Sequence, residues 1–99
     1  MAEARLAPGD IVRHFKRDLI GCEGTRYLYR ILHFAIDSET EEPCVVYQAL
    51  YGEGLIYVRP YAMFMGETDI AKYPAARQKW RFAKASPEEA RLAAEKSGA

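Results

Sequence analysis

The stretch "VVYQALYGEGLIYVRPYAMF", Val45–Phe64, decides the fold. Two runs rich in β-branched and aromatic residues flank Gly52-Glu53-Gly54, a spacing typical of a β-hairpin with a short loop. Pro60 cannot donate a hydrogen bond to a central ladder, so it ends the return strand. The apolar spacing that follows predicts a short helical turn, with Met63 and Phe64 closing one end of the domain.

Working outward from the hairpin, the same pattern predicts further strands on both sides. The expected strands are Ile11–Phe15, Arg26–Ile36, Cys44–Tyr51, Leu55–Pro60 and Trp80–Phe82. Neither face of the Arg26–Ile36 run is cleanly polar, which indicates a strand that bends and changes its exposure midway. We therefore expect a mainly β protein, a small SH3-like barrel of about five strands, with an OB-like barrel as the alternative.

The chain divides into a lead-in at residues 1–9, the barrel at 10–83 and a C-terminal helix or tail at 84–99. In "SPEEARLAAEKSGA", Ser86 can cap the helix, Pro87 suits its first position and Glu89 completes a capping box. Leu92 is the only large apolar residue, which predicts a weakly packed, solvated helix. Its expected exposed charges are Glu88, Glu89, Arg91, Glu95 and Lys96.

Composition bounds the class of protein. The 99 residues are 49% hydrophobic, and 14 acidic residues balance 14 basic ones. One domain with no net charge argues against a protein devoted to tight, sequence-blind nucleic-acid binding. No apolar run approaches the length of a membrane span, and Cys22 and Cys44 lack metal-site spacing. We expect a cytoplasmic protein with reduced thiols, no membrane partner and no cofactor.

Four motifs occur in the order "IVRHFK", "AIDSETEEP", "VVYQALYG" and "VRPYAMF". Together they resemble the bacterial family called domain of unknown function 1653, and the later "YPAARQKWRF" resembles the tail of a subgroup of that family. The resemblance spans roughly residues 8–82. It implies an SH3-type barrel and leaves the function open.

No catalytic or metal constellation stands out. His14 and His33 are the only imidazoles, and neither has partners at the spacing of a known metal site. Ser38 lies between two carboxylates, which favours turn chemistry over nucleophilic catalysis. Phosphate-binding glycine loops are also missing from the sequence.

The two hairpin strands carry the best functional candidates. Burying Ile56 and Val58 would turn Tyr57 and Arg59 outward, beside Tyr47 and Tyr51 across the hairpin. Aromatic faces, hydroxyls and a guanidinium suit a flat or anionic ligand. The competing interpretation is that the tyrosines bury their rings in a thin core and Arg59 makes a structural ion pair.

These observations predict a non-enzymatic binding module for a nucleotide or single-stranded nucleic acid, favoured over a peptide. The expected ligand-binding residues are His14, Lys16, Tyr47, Tyr51, Tyr57 and Arg59. One alternative is a small enzyme or accessory domain acting on a nucleotide-like metabolite, with His14 as general base and Arg59 holding an anion. Another is a protein-interaction domain that pairs through its edge strand, and the oligomeric state stays open.

Overall fold

The chain forms five strands and three helices in a computed structural model that describes the backbone of residues 5–19, 21 and 24–97 and side chains up to residue 95. Cys22 and the side chain of Lys96 lie outside the described residues. The elements are β1 (Ile11–His14), α1 (Lys16–Leu19), β2 (Leu28–Ile36), β3 (Pro43–Ala49), β4 (Ile56–Pro60), α2 (Tyr61–Met65), β5 (Phe82–Lys84) and α3 (Pro87–Ser97).

All five strands belong to one antiparallel sheet with the order β4-β3-β2-β1-β5. The quoted stretch forms the β3–β4 hairpin as expected, and Gly52 and Gly54 adopt φ angles of 60° and 70° in its loop. The register between β2 and β3 shifts between Ile31 and His33. An irregularity of this kind is typical of places where a strand changes direction, and it lies in the strand whose mixed faces predicted a bend.

The sheet is not closed into a barrel, so the SH3-like barrel is not confirmed. β4 and β5 are opposite edges, and no ladder joins them in the part of the chain that the structure describes. Side chains cover the concave face instead. The Phe64 ring of α2 stacks on the Phe82 ring of β5, with centroids 4.1 Å apart and planes 6° from parallel.

The main core fills this concave face and is aromatic. Tyr47 packs against Phe64 and Phe82, with ring centroids 4.9 and 5.6 Å apart. The buried members of this core are Leu6, Val12, Tyr29, Ile31, Val45, Tyr47, Ala49, Phe64 and Phe82. A second, smaller cluster lies on the convex face, where Leu28 and Leu50 pack against Ala93 of α3.

The expected burial of Ile56 and Val58 is wrong. Their side chains are 59% and 64% exposed. The reason is that β4 is an edge strand whose convex face lies beyond the cover of α3. The alternate residues Tyr57 and Arg59 lie opposite Tyr47 and Val45 in the ladder, and so they share the concave face with the core.

Two other expectations near the core also need correction. The fifth strand runs from Phe82 to Lys84 rather than from Trp80 to Phe82, because Trp80 makes an isolated bridge with Glu67 before the strand begins. Met63 was expected to close one end of the domain together with Phe64. Met63 is 52% exposed, whereas Phe64 is fully buried.

Helix α3 is docked rather than solvated. The capping box forms as expected: Glu89 N–H donates to Ser86 Oγ over 3.1 Å, and Ser86 N–H donates to Glu89 Oε1 over 2.9 Å. The expected exposure of Glu89 is wrong, because its carboxylate also accepts from Arg13 and Arg17 and is only 8% exposed. Ala93 is fully buried, so small residues supply the packing that one leucine could not.

Candidate functional site

A basic pocket opens where several segments meet at one end of the concave face. β1 ends at His14, α1 begins at Lys16, and Arg59 comes from the edge strand β4. A turn at residues 69–73 supplies the opposite wall. The cavity measures about 300 Å³ and is lined by His14, Phe15, Lys16, Arg59, Asp69, Lys72, Tyr73 and Arg81.

The Phe82 ring joins two of these pocket residues. The His14 ring meets it edge-on, with centroids 4.9 Å apart. The Arg59 guanidinium lies over the same ring, 5.7 Å from its centroid. Because Phe82 is itself locked against Phe64, the core fixes the positions of His14 and Arg59.

Tyr73 organises the other wall. The Lys16 and Lys72 ammonium groups lie 5.5 and 5.6 Å from its ring centroid, and Phe15 packs against it at 4.9 Å. The turn is held by Asp69, whose backbone oxygen accepts from Tyr73 N–H over 2.8 Å and whose Oδ1 accepts from Lys72 N–H over 3.2 Å. Two cations therefore share one aromatic ring.

The charges of the pocket are unbalanced. Among the described residues that line it, the cations are Lys16, Arg59, Lys72 and Arg81, and Asp69 is the one carboxylate. Every salt bridge found in the described part of the chain involves other cations, namely Arg13 and Arg17 with Asp18 and Glu89. In a chain with no net charge, this excess is local. An arrangement of this kind attracts anions.

His14 is neutral in this setting. Its pKa is lowered from 6.5 to about 4, mainly by burial and also by the positive charges of Arg59, Lys16 and Arg81. Nδ1 accepts a hydrogen bond from Lys16 N–H over 3.1 Å. The single proton of the neutral ring is therefore on Nε2, which leaves that nitrogen as a donor.

A tyrosine cluster adjoins the pocket on the concave face. It consists of Tyr29, Tyr47, Tyr51 and Tyr57, whose hydroxyls influence one another. The Tyr29 and Tyr51 hydroxyls are 2.7 Å apart and hydrogen-bonded. Burial is the main cause that raises the pKa of Tyr29, and it raises the pKa of Tyr47 as well.

Arg59 connects the cluster to the pocket. It acts on the Tyr47 phenol through its charge and through a hydrogen bond, and both effects oppose the rise in the pKa of that phenol. Of the six sequence-predicted residues, His14, Lys16 and Arg59 line the pocket, whereas Tyr47, Tyr51 and Tyr57 belong to the neighbouring cluster.

The exposure of the tyrosines differs within the cluster. Tyr57 is 41% exposed, although it lies on the core face of β4 and not on the opposite face as expected. Tyr47 was expected to face outward beside it, and this is wrong: its side chain is 5% exposed and belongs to the core. Tyr51 is half-buried. The accessible aromatic ring of the cluster is therefore that of Tyr57, whereas the buried Tyr47 phenol interacts with Arg59.

Sequence reasoning missed Lys72, Tyr73 and Arg81. The signal lies in "AKYPAARQKWR", where basic residues alternate with aromatic ones. Without regular secondary structure there, no periodicity shows which of these side chains meet. Gln78 was missed as well. Its amide donates to the Arg13 and Trp80 backbone oxygens over 3.2 and 2.7 Å, and it thereby ties this irregular segment to β1.

A second concavity, of about 220 Å³, lies against the β3–β4 loop at residues 48–54. Its one charged group is Glu53, and the Gln48 side chain already donates to Gly54 O over 3.0 Å. Its described lining contains no cationic side chain that would attract an anion.

The acidic loop between β2 and β3, residues 37–42, has a structural role. The backbone N–H groups of Glu39 and Thr40 donate to Asp37 Oδ1 and lower the pKa of that carboxyl.

The described residues contain no group of three or more His, Cys, Asp or Glu placed to hold a metal ion. Cys44 is a free, buried thiol. Of the helices in the described part of the chain, none has the length and apolar character needed to cross a membrane.

One family model matches residues 10–84, about three quarters of the chain, and that family carries the description "protein of unknown function". The match takes in the five described strands together with α1 and α2, and it ends before α3. No curated protein and no solved structure was found to match the chain.

Proposed function

The chain belongs to the DUF1653 family of proteins of unknown function, and we propose that it is a non-enzymatic binding module for a phosphorylated ligand, a nucleotide or single-stranded nucleic acid. One observation carries the proposal. Four cations that form no salt bridge within the described part of the chain surround one cavity, against the single carboxylate of Asp69, in a chain whose total charge is zero. We place the module in the cytoplasm and give it an SH3-like architecture, which the return of β5 to β1 supports.

The residues divide the work by their chemistry. The ammonium groups of Lys16 and Lys72 and the guanidinium of Arg59 hold phosphate oxygens through charge-assisted hydrogen bonds. The exposed ring of Tyr57 gives a base or sugar a flat surface next to Arg59. This combination favours a nucleotide-like ligand over a Pro-rich peptide, which has no phosphate.

An enzymatic role with His14 as general base is the second candidate, because His14 and Arg59 line the same cavity. The low pKa of His14, about 4, makes it a weak base at neutral pH. The same property suits binding, since a neutral imidazole donates from Nε2 without adding a charge that varies with pH. Incubation of a nucleoside triphosphate with the protein would reveal turnover as product, which the binding proposal does not predict.

The test is an NMR titration of the full chain with adenosine monophosphate, adenosine, a short single-stranded oligonucleotide and a Pro-rich peptide. We expect the first and third probes to shift backbone amides at residues 14–16, 59, 69–73 and 81. An affinity between about 1 µM and 1 mM corresponds to a handful of charged contacts. Adenosine, which lacks the phosphate, should shift them far less.

A matched pair of variants sharpens the titration. Arg59→Gln removes the guanidinium from the pocket, whereas Arg91→Gln removes one from the exposed face of α3. We expect the first variant to weaken binding of adenosine monophosphate at least about tenfold, or 1.4 kcal/mol, and the second to leave it unchanged. Equal binding by both variants, or shifts confined to residues outside the pocket, would refute the proposed site.

A further inference from the structure

The charge of the basic pocket exceeds that of any single internal phosphate. Four cations against one carboxylate give a formal excess of three positive charges. An internal phosphodiester brings one negative charge, whereas a phosphomonoester carries between 1.5 and 2 at pH 7, with a second pKa of about 6. The doubly charged group offsets more of the repulsion between the cations.

The cations also surround the cavity rather than follow a line. Lys16 and Lys72 meet on Tyr73, and Arg59 reaches the cavity from β4 across Phe82. Arg81 donates to Met63 O over 3.2 Å at the same end of the sheet. A protein that tracks a nucleic-acid backbone needs charges spaced along a groove. Charges that surround one cavity suit a group that ends there.

We propose that the basic pocket selects a terminal phosphomonoester, as in a nucleoside monophosphate or the phosphorylated end of a single strand, over an internal phosphodiester. This inference rests on the proposed function and names its ligand class. Tyr57, beside Arg59, then contacts the ring of the terminal nucleotide.

The imidazole of the free pocket is already neutral in the pH range where the ligand titrates. The groups that face the cavity are His14, Lys16, Arg59, Asp69, Lys72, Tyr73 and Arg81. His14 loses its proton near pH 4, well below the second ionisation of a phosphomonoester near pH 6. Because the monoester and the diester meet the same pocket, a change in their relative affinity between pH 5 and 7.5 reports the second ionisation of the monoester.

The experiment compares adenosine 5′-monophosphate with 3′,5′-cyclic adenosine monophosphate by calorimetry on the full chain. The two share base and sugar, but the cyclic compound is a diester with one negative charge. We expect the monoester to bind at least about tenfold more tightly at pH 7.5, and this preference to fall to less than about threefold at pH 5. A 5′-phosphorylated oligonucleotide should likewise exceed its 5′-hydroxyl counterpart.

The outcomes separate this inference from the proposed function. Equal binding of monoester and diester at pH 7.5, or a preference that does not depend on pH, would overturn the selection of terminal phosphates while the pocket remained a phosphate site. Binding of neither compound would refute both. Lys72→Gln should reduce the preference for the monoester, whereas Lys84→Gln, on the exposed surface of β5 outside the pocket, should preserve it.

Discussion

Replacing Glu89 by glutamine should destabilise the domain, although Glu89 lies in a terminal helix outside the family match. Its carboxylate accepts from Arg17 Nε over 2.6 Å, from Arg13 Nη1 over 3.2 Å and from Ser86 N–H over 2.9 Å. Arg17 is itself only 8% exposed and also donates to Arg26 O over 2.7 Å. Glutamine keeps the shape of the side chain and removes the charge.

The magnitude follows from burial. Removing one partner from a buried ion pair typically costs about 3–5 kcal/mol, because the remaining charge stays desolvated. Glutamine retains one acceptor oxygen for Ser86, so we expect a loss of about 3 kcal/mol in the free energy of unfolding. The control is Glu88→Gln in the same helical turn, an exposed residue whose loss should cost less than about 1 kcal/mol.

Urea unfolding, followed by far-UV circular dichroism and Trp80 fluorescence, measures both variants. Burial alone would raise the pKa of Glu89, but the Ser86 N–H and the Arg17 and Arg13 guanidinium groups outweigh it and hold the pKa below 4.5. Its stabilisation is therefore complete above pH 4.5 and is lost as the pH falls through the lowered value. The difference between wild type and Glu89→Gln should shrink in acid. A loss no larger than that of Glu88→Gln would refute the reasoning.

Three further perturbations test the core, the pocket and the tyrosine cluster. Ile31→Ala should lower the free energy of unfolding, measured with urea, by about 2–5 kcal/mol, and Ile56→Ala should lower it by less than about 1 kcal/mol. The reason is that Ile31 is fully buried and Ile56 is 59% exposed. Equal losses would contradict the assigned faces of β2 and β4. His14 should titrate near pH 4 by NMR. Since its pKa is lowered on folding, stability should rise with pH from about 4 to 6.5, and an NMR value near 6.5 would exclude the buried position. Tyr51→Phe removes the hydroxyl bonded to Tyr29 and should cost about 0.5–1.5 kcal/mol, whereas no change in unfolding would show that water replaces this contact.

The hairpin and the capping box were predictable because local rules govern them. Gly52 and Gly54 permit the turn, and Ser86 with Glu89 forms reciprocal hydrogen bonds within four residues. Neither needs knowledge of distant parts of the chain. The mixed polarity of the two faces of β2 indicated an irregular strand, and its ladder with β3 does shift register between Ile31 and His33.

The face of β4 was not predictable from its own pattern. Ile56 and Val58 are the more hydrophobic set, yet Tyr57 and Arg59 face the core because their neighbours in β3 do. Which face of an edge strand is covered depends on elements elsewhere in the chain, here α2 on one side and the limited reach of α3 on the other. A single strand contains no information on that point.

The candidate site was predictable only in part, because its residues come from segments that lie far apart in the sequence. His14 and Arg59 lie on predicted strands, but β1 and β4 are not neighbours in the sheet, and both residues meet at the Phe82 ring only in the folded structure. Lys72 and Tyr73 lie in an irregular segment, where only the three-dimensional arrangement shows that they meet Lys16. In such a segment, the alternation of basic and aromatic residues is the one sequence pattern that indicates a cationic site.

The pKa of His14 tests the central claim most directly, because His14 senses the charge inside the pocket. It is held near 4 by burial and by Arg59, Lys16 and Arg81. A phosphate bound among these cations must offset their effect, so saturating adenosine monophosphate should raise the pKa of His14 measured by NMR. An unchanged titration of His14 with adenosine monophosphate at about 10 mM, well above a millimolar dissociation constant, would contradict a phosphate site in the basic pocket.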